Sequence, residues 1–390
     1  MLNRRRTLGA AGLLAGAITA SATGTAVAAP ASKAPAGGFT VVYGGEIDFS
    51  PRHRAGLLRA ASVAAPKTAI PLDQRVTLDD GTQIAASAPL TLPWTSDTIG
   101  AIVYVEARPG GGRIKPVLVG GPNRTERESG FDDSGTGSFA LPGTDAPMQN
   151  GTYVYQVAGT LDVESAEVIV VPRRGGQPTS GTLDLNLFVL EGSELDPSDL
   201  SAAVGGGFAQ AYGQAGVRLG TATLYNVTGA DEFLSVDGDD LSAGSAIRQL
   251  ATISGQASNP RAANLFFVRE ISGGTFGISL GIPAALTIPG SISSGVVVSV
   301  SAHESDAGFD VSNLAQTMAH ETGHSIGLYH TSERDGSLHD VISDTAECPA
   351  GEDLDFAACP DGENLMFWSG HGFQVSRGQG FVLLRSPVVR

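Results

Sequence analysis

Two cysteines in 390 residues allow one disulfide at most, which excludes a scaffold stapled together by bridges. Basic residues are scarce as well: 24 Lys+Arg stand against 40 Asp+Glu, a net charge of −16. Binding phosphates needs clustered Lys and Arg, so nucleic acid is excluded as a partner. Charged residues of both signs make up only 16% of the chain, while glycine occurs 52 times. That balance favours many turns and short strands over a long helical bundle. Long apolar runs are missing too. Gly277 to Val300 comes nearest, but Pro283 and Pro289 interrupt it, so no membrane span is expected. The 42% of hydrophobic residues excludes a disordered chain, and the length suits two or three domains.

The first 28 residues read as an address. Arg4, Arg5 and Arg6 precede a mild apolar stretch from Gly9 to Val27, which ends in the small-residue site Ala26-Val27-Ala28. Consecutive arginines before a weakly hydrophobic run resemble the twin-arginine export signals of bacteria. Cleavage after Ala28 is expected, giving a protein secreted outside the cell or to the periplasm. Residues 29–38 form a Pro/Ala/Gly-rich flexible leader. From 39 to 174 the signals are β-rich and partly alternating, as in Thr152 to Val157 and Ala166 to Val171. Short strands separated by turn clusters suggest a β-sandwich-like domain, either a pro-region or an accessory unit. Residues 175–182 are the linker. Beyond it strands (Leu183–Leu190, Thr221–Val227, Ala263–Val268, Gly295–Ser301) alternate with helical stretches (Pro197–Val217, Asp240–Ile253), which predicts an α/β domain over 183–390.

Six of the seven histidines lie beyond position 300. His320 and His324 are four apart on a predicted helix that starts at Val311, with Leu314, Ala315 and Met318 as its apolar stripe and Asp310 or Ser312 as its cap. Both imidazoles therefore leave the same face. Gly327 can adopt positive φ and end the helix, and His330 can then return to complete a three-histidine site. Three histidines leave one position of a tetrahedral zinc open for water, the mark of a catalytic site. Glu321, next to the first ligand, is placed to act as general base.

These residues, His320-Glu321-Thr322-Gly323-His324 with Gly327 and His330, resemble the signature of the metzincin metallopeptidases. The resemblance covers about residues 183 to 390. It implies an α/β catalytic domain with a twisted mixed sheet, a zinc helix and a Met-turn, for which Asn364-Leu365-Met366 is the candidate. The stretch from His330 through Asp340 and Asp344 to Cys348, and on to Met366, looks most like the pappalysin-type branch. Many relatives carry a Tyr two residues after the turn methionine, whereas this chain has Trp368, which lacks a hydroxyl. A cysteine switch is excluded, because no Cys precedes the zinc motif.

Weaker signals remain. Gly277-Ile278-Ser279-Leu280-Gly281 matches the G-x-S-x-G pattern of serine hydrolases, but Pro283 and Pro289 oppose the helix that such an elbow needs. An extended edge strand that pairs with substrate backbone is the better reading of Gly277 to Leu280. In an exported protein Cys348 and Cys359 are expected to form a disulfide. Asp132 or Asp133 are candidates for capping the metal, with a solvated turn as the plainer reading. Asp335, Asp340, Asp344, Asp353, Asp355 and Asp361 make the loops acidic; calcium and a merely solvated face fit them equally well. Ser376 is expected to cap a closing helix over Arg377 to Arg385. The sequence thus predicts a monomeric, secreted zinc endopeptidase acting on proteins or peptides. Two alternatives stand beside it, an inactive zinc-bearing binding or adhesion protein and an esterase using Ser279.

Overall fold

Leu183 to Leu190 is apolar at six of its eight positions because both faces of this strand are buried, the usual state of a central parallel strand. Leu185 and Leu187 face one core, while Phe188 and Leu190 face another on the opposite side. In this computed structural model the described residues are 17–19, 39–54, 67–78, 81–108, 111–123, 134–351 and 356–390.

Numbered along the chain, β1 (Ala17–Thr19) and β2 (Thr40–Asp48) come first. There follow β3 (Thr68–Pro71), β4 (Gln74–Thr77), β5 (Gln83–Ala86), β6 (Leu90–Trp94), β7 (Thr98–Arg108), β8 (Ile114–Gly120), β9 (Thr136–Leu141), β10 (Gly151–Gly159) and β11 (Ser165–Arg174). The strands after them are β12 (Gly181–Leu190), β13 (Val217–Thr228), β14 (Ser235–Val236), β15 (Ala263–Val268), β16 (Glu270–Ile271), β17 (Thr275–Ser279) and β18 (Val296–Ser299).

The protein is a mixed α/β structure with several sheets. The largest has seven strands in the order β1-β17-β18-β15-β12-β13-β2. From β18 to β2 the strands are parallel; β17 runs antiparallel to β18, with Ile278 opposite Val297. Strands β3 to β11 build a second unit. One antiparallel sheet has the order β3-β11-β7-β9, and the other joins β4, β5, β10 and β6 with β8 also on β10. Val103 and Val105 from the first sheet and Tyr153, Tyr155 and Val157 from the second share one core.

Several expectations change. Strand β2 was expected in the N-terminal β-rich unit, but it pairs in parallel with β13, Thr40 opposite Thr221. The outer edge of β13 offers unpaired N–H and C=O groups, and β2 satisfies them. The last two residues of the expected linker already belong to β12. The expected edge segment is covered as well: the backbone of β1, within the expected export signal, lies antiparallel on β17, with Ala17 opposite Ile278. Leu280 falls just beyond the end of β17. The helical stretch after Pro197 is two short helices, Pro197–Ala203 and Ala209–Gln214, separated by a π-turn at the glycine run Gly205-Gly206-Gly207. The 240–253 region begins its helix only at Ala246, capped by Ser245. The signal cleavage site, the flexible leader and Asp132, Asp133, Asp353 and Asp355 lie outside the described residues.

Among the described residues no helix is long and apolar enough to cross a membrane. The closing helix is Arg377–Leu383, with Ser376 and Gln379 forming a capping box.

Candidate metal centre

The site is carried by the histidine helix, Val311–Ile326. Asp310 starts it by accepting a hydrogen bond from the Asn313 amide at 2.9 Å. Gly327, at φ 123°, ends it, and its amide bonds back to the Gly323 and His324 carbonyls. That turn brings His330 back to the helix face that carries His320 and His324. The three residues are buried, and the Nε2 atoms of His320 and His324 lie 3.2 and 3.1 Å from that of His330.

Each ring is fixed through its other nitrogen. His320 Nδ1 donates to the Leu365 carbonyl at 2.6 Å, and His324 Nδ1 to the Leu328 carbonyl at 2.8 Å. His330 Nδ1 lies 2.8 Å from a Glu333 carboxylate oxygen. A carbonyl can only accept, so the Nδ1 atoms of His320 and His324 carry the protons and their Nε2 lone pairs turn inward. Burial pushes the pKa of His320 down to about 3, helped by the nearby His330, so this ring stays neutral. Inward lone pairs crowded at this spacing repel one another unless a cation lies between them. Nitrogens bonded at 2.0–2.1 Å to one tetrahedral ion stand roughly 3.3 Å apart, close to the spacing here. The residues fit a divalent metal ion, and imidazole suits the later first-row metals.

Glu321 is fully buried one residue after His320, and neither of its carboxylate oxygens has a hydrogen-bond partner. Burial raises its pKa well above the ordinary carboxylate value; the Ser279 amide nearby only partly opposes this. An orphaned, buried carboxylate beside three convergent imidazoles is costly for folding alone.

Met366 is fully buried beneath this face, its sulfur packed where a side chain on Gly323 would stand. The Asn364 side chain holds the turn by accepting from the Met366 amide at 2.8 Å, and the Met366 carbonyl accepts from Thr331 N–H. The Trp368 ring instead carries the Arg334 guanidinium at 5.5 Å. Cys348 and Cys359 form a disulfide. Asp361, beside it, is a ligand type, but its carboxylate accepts from the Thr331 and Ser332 hydroxyls, both at 2.7 Å. Asp344 accepts from the Gly378 amide and Ser376 hydroxyl at the closing helix. Among the described residues these aspartates do not gather into a group of three ligands of their own.

The Ser279 hydroxyl is committed elsewhere: it donates to the Gly281 carbonyl at 2.8 Å. No helix follows it. The elbow geometry of a serine hydrolase is therefore absent at this position.

The sequence reading missed the outer partners of the site. Glu333 was legible as a carboxylate three residues after His330, the reach of one turn. The Leu365 and Leu328 carbonyls had no signal, since any residue supplies one. His303 was also missed. Its Nδ1 donates to the Ser299 carbonyl at 2.7 Å and its Nε2 meets the Thr317 hydroxyl of the histidine helix at 3.0 Å.

No protein-family model matches the chain, and neither does any curated protein. Among solved structures it is similar to metalloproteinase-II from Bacteroides fragilis, at 14% identity and a TM-score of 0.27, over 42% of this chain and 47% of that one. It is also similar to a family two carbohydrate esterase from Clostridium thermocellum in complex with cellohexaose, at 8% identity and a TM-score of 0.17, over 52% and 66% of the two chains. The chain thus spans about half the length of the metalloproteinase. Likenesses this distant carry no argument about activity.

Proposed function

We propose that this protein is an exported zinc-dependent endopeptidase of the metzincin kind, of the pappalysin type by its motif. The observation that carries the reading is the pairing of three convergent Nε2 atoms with the unpartnered carboxylate of Glu321. A zinc ion held by His320, His324 and His330 would supply Lewis acidity toward a peptide carbonyl and toward water. Glu321 takes the proton of the attacking water and delivers it to the leaving amine. The raised pKa of its carboxyl suits a group that must accept a proton and give it up again. Strand β17, whose outer edge is covered by β1 here, presents its extended backbone to a peptide substrate only once the export signal that carries β1 is removed, and Gly277 lets that backbone pass close over Glu321. Met366 gives the histidines an apolar floor. The strands from β3 to β11 form the β-sandwich-like domain.

The test is digestion of an unfolded protein such as casein by the purified exported chain, with metal analysis and a chelator control. Hydrolysis that stops with the chelator and returns with zinc supports the reading. A zinc-loaded protein that cleaves nothing would make it a binding or adhesion protein. Ester cleavage indifferent to the chelator would make it a hydrolase of another kind.

A further inference from the structure

Strand β17 continues into residues 280–295 before the chain returns as β18. This segment is held from three sides. From within the sheet unit, the buried Arg248 guanidinium donates to the Leu280 carbonyl at 2.6 Å and to the Ser293 hydroxyl at 2.7 Å. From the histidine helix, the Ser325 carbonyl beside His324 accepts from Ala284 N–H at 2.9 Å. The third side is the two-sheet unit. There Ser138 donates to the Pro283 carbonyl at 2.6 Å, Thr136 meets Ser293 at 2.8 Å, and Tyr104 meets Ser291 at 2.9 Å. All three hydroxyl-bearing residues are buried.

Buried hydroxyls on an apolar sheet face are costly unless partnered, and here each has a partner across the boundary between the units, Thr136 also meeting the Ser134 hydroxyl of its own unit at 2.7 Å. Apolar contacts seal the same boundary, with Tyr104 and Ile169 against Ala285 and Ile288. The unit also reaches the end of the histidine helix, where a side chain on Gly327 would meet Ala140 Cβ at 3.2 Å.

We propose that the two-sheet unit is a resident part of the peptidase, in which Tyr104, Thr136 and Ser138 are positioning residues that hold segment 280–295 and, through it, β17 against the histidine helix. This rests on the function proposed above. The unit is then neither a removable pro-region nor a loosely tethered accessory. Chain order supports the same conclusion: β2 precedes the unit and β12 follows it, yet both belong to the seven-stranded sheet. Excising the unit would leave β2 as a separate peptide.

The test uses the full exported chain with Ser138→Ala, Thr136→Val and, as the conservative control, Thr136→Ser. Hydrogen exchange is followed at the amides of residues 277–285, together with zinc content and steady-state kinetics on a peptide. Ser138→Ala and Thr136→Val are expected to speed exchange there about tenfold while the amides of β12 and β15 keep their rates. KM is expected to rise about fivefold with kcat and zinc content close to wild type, and Thr136→Ser to restore both readouts. If Ser138→Ala does not fold, Tyr104→Phe carries the test, since it removes one hydroxyl and almost no volume. Unchanged exchange at 277–285, or exchange that rises equally everywhere, would overturn the positioning role. An active exported chain that lacks residues 67–174 by mass would overturn residence. If wild type cleaves no peptide, the proposed function fails, while the exchange result still decides this proposal.

Discussion

Gly277 and Glu321 meet across the site: a Cβ placed on Gly277 would stand 2.8 Å from Glu321 Cγ and 2.9 Å from Thr317 Cγ2. Both distances are shorter than van der Waals contact, so either β17 or the carboxylate must shift when the glycine gains a side chain. Overpacking of this kind costs ~1–3 kcal/mol. Gly277→Ala is therefore expected to lower kcat/KM by about tenfold or more while zinc content stays near wild type. Peptide kinetics with metal analysis checks this, and wild-type kinetics would count against the close passage of the strand.

Glu321→Gln separates the base from the ligands. The amide keeps the shape of the side chain but cannot accept the proton of water, so the rate is expected to fall ~10²–10⁴-fold. Because the carboxylate is buried without a hydrogen-bond partner, its removal should leave Tm unchanged or raised. Zinc stoichiometry should not change. Near-full activity in this variant would defeat the mechanism.

His324→Ala is expected to lose metal and activity together, because two imidazoles hold a catalytic ion poorly. Chelation of the wild-type protein should also lower Tm, since an ion bound only to the folded state stabilises it by mass action. Thermal melts with and without chelator, alongside zinc analysis, check both outcomes.

Acid stability should depend on His303. Burial pushes its pKa down from 6.5 to about 4, with hydrogen bonding at the Ser299 carbonyl opposing the fall. Between those values the unfolded chain binds the proton and the folded chain does not, so stability rises with pH across this window. The contribution, about 3 kcal/mol at most, is complete above pH 6.5 and is lost as the pH falls through 4. Denaturant unfolding from pH 4 to 7 should show this slope, and His303→Gln should flatten it.

The Cys348–Cys359 bridge supports the third histidine. Cys348 N–H donates to the Ser332 hydroxyl at 2.9 Å, and Ser332 and Thr331, which follow His330, both donate to Asp361. Replacing both cysteines with alanine should cost ~2–3 kcal/mol for a loop this short. It should also weaken zinc retention, read by competition with a chromogenic chelator. Peptide mapping without reductant should recover the two cysteines linked.

Much of the site was legible because its information is local. The spacing of His320 and His324, the cap at Asp310 and the stop at Gly327 all act within one turn of chain, and side-chain chemistry alone identifies them. The capping box at Ser376 is of the same kind. What escaped is non-local. Whether Thr40–Asp48 joins the nearer two-sheet unit or the distant β13 depends on which edge is free, and an isolated strand does not record this. The carbonyls of Leu365 and Leu328 escaped because the backbone has no sequence. Arg248 escaped for another reason: an arginine reads as surface, and only the gathered carbonyl and hydroxyl acceptors around segment 280–295 make its burial tolerable.

The pairing of β2 with β13 also sets an order of events during synthesis. Thr40 leaves the ribosome early, but its partner Thr221 follows roughly 180 residues later. At 5–20 residues per second the first strand waits roughly 10–40 s with its apolar side chains uncommitted, while the nine strands β3 to β11 can already close into their own core. The seven-stranded sheet is completed only afterwards, around a neighbour that is already folded. Closing so long a loop is slow for a flexible chain, but a folded insert shortens the span that must be searched. The unit that holds segment 280–295 in the finished protein thus also brings β2 and β12, the strands on either side of it in the chain, within reach of one sheet.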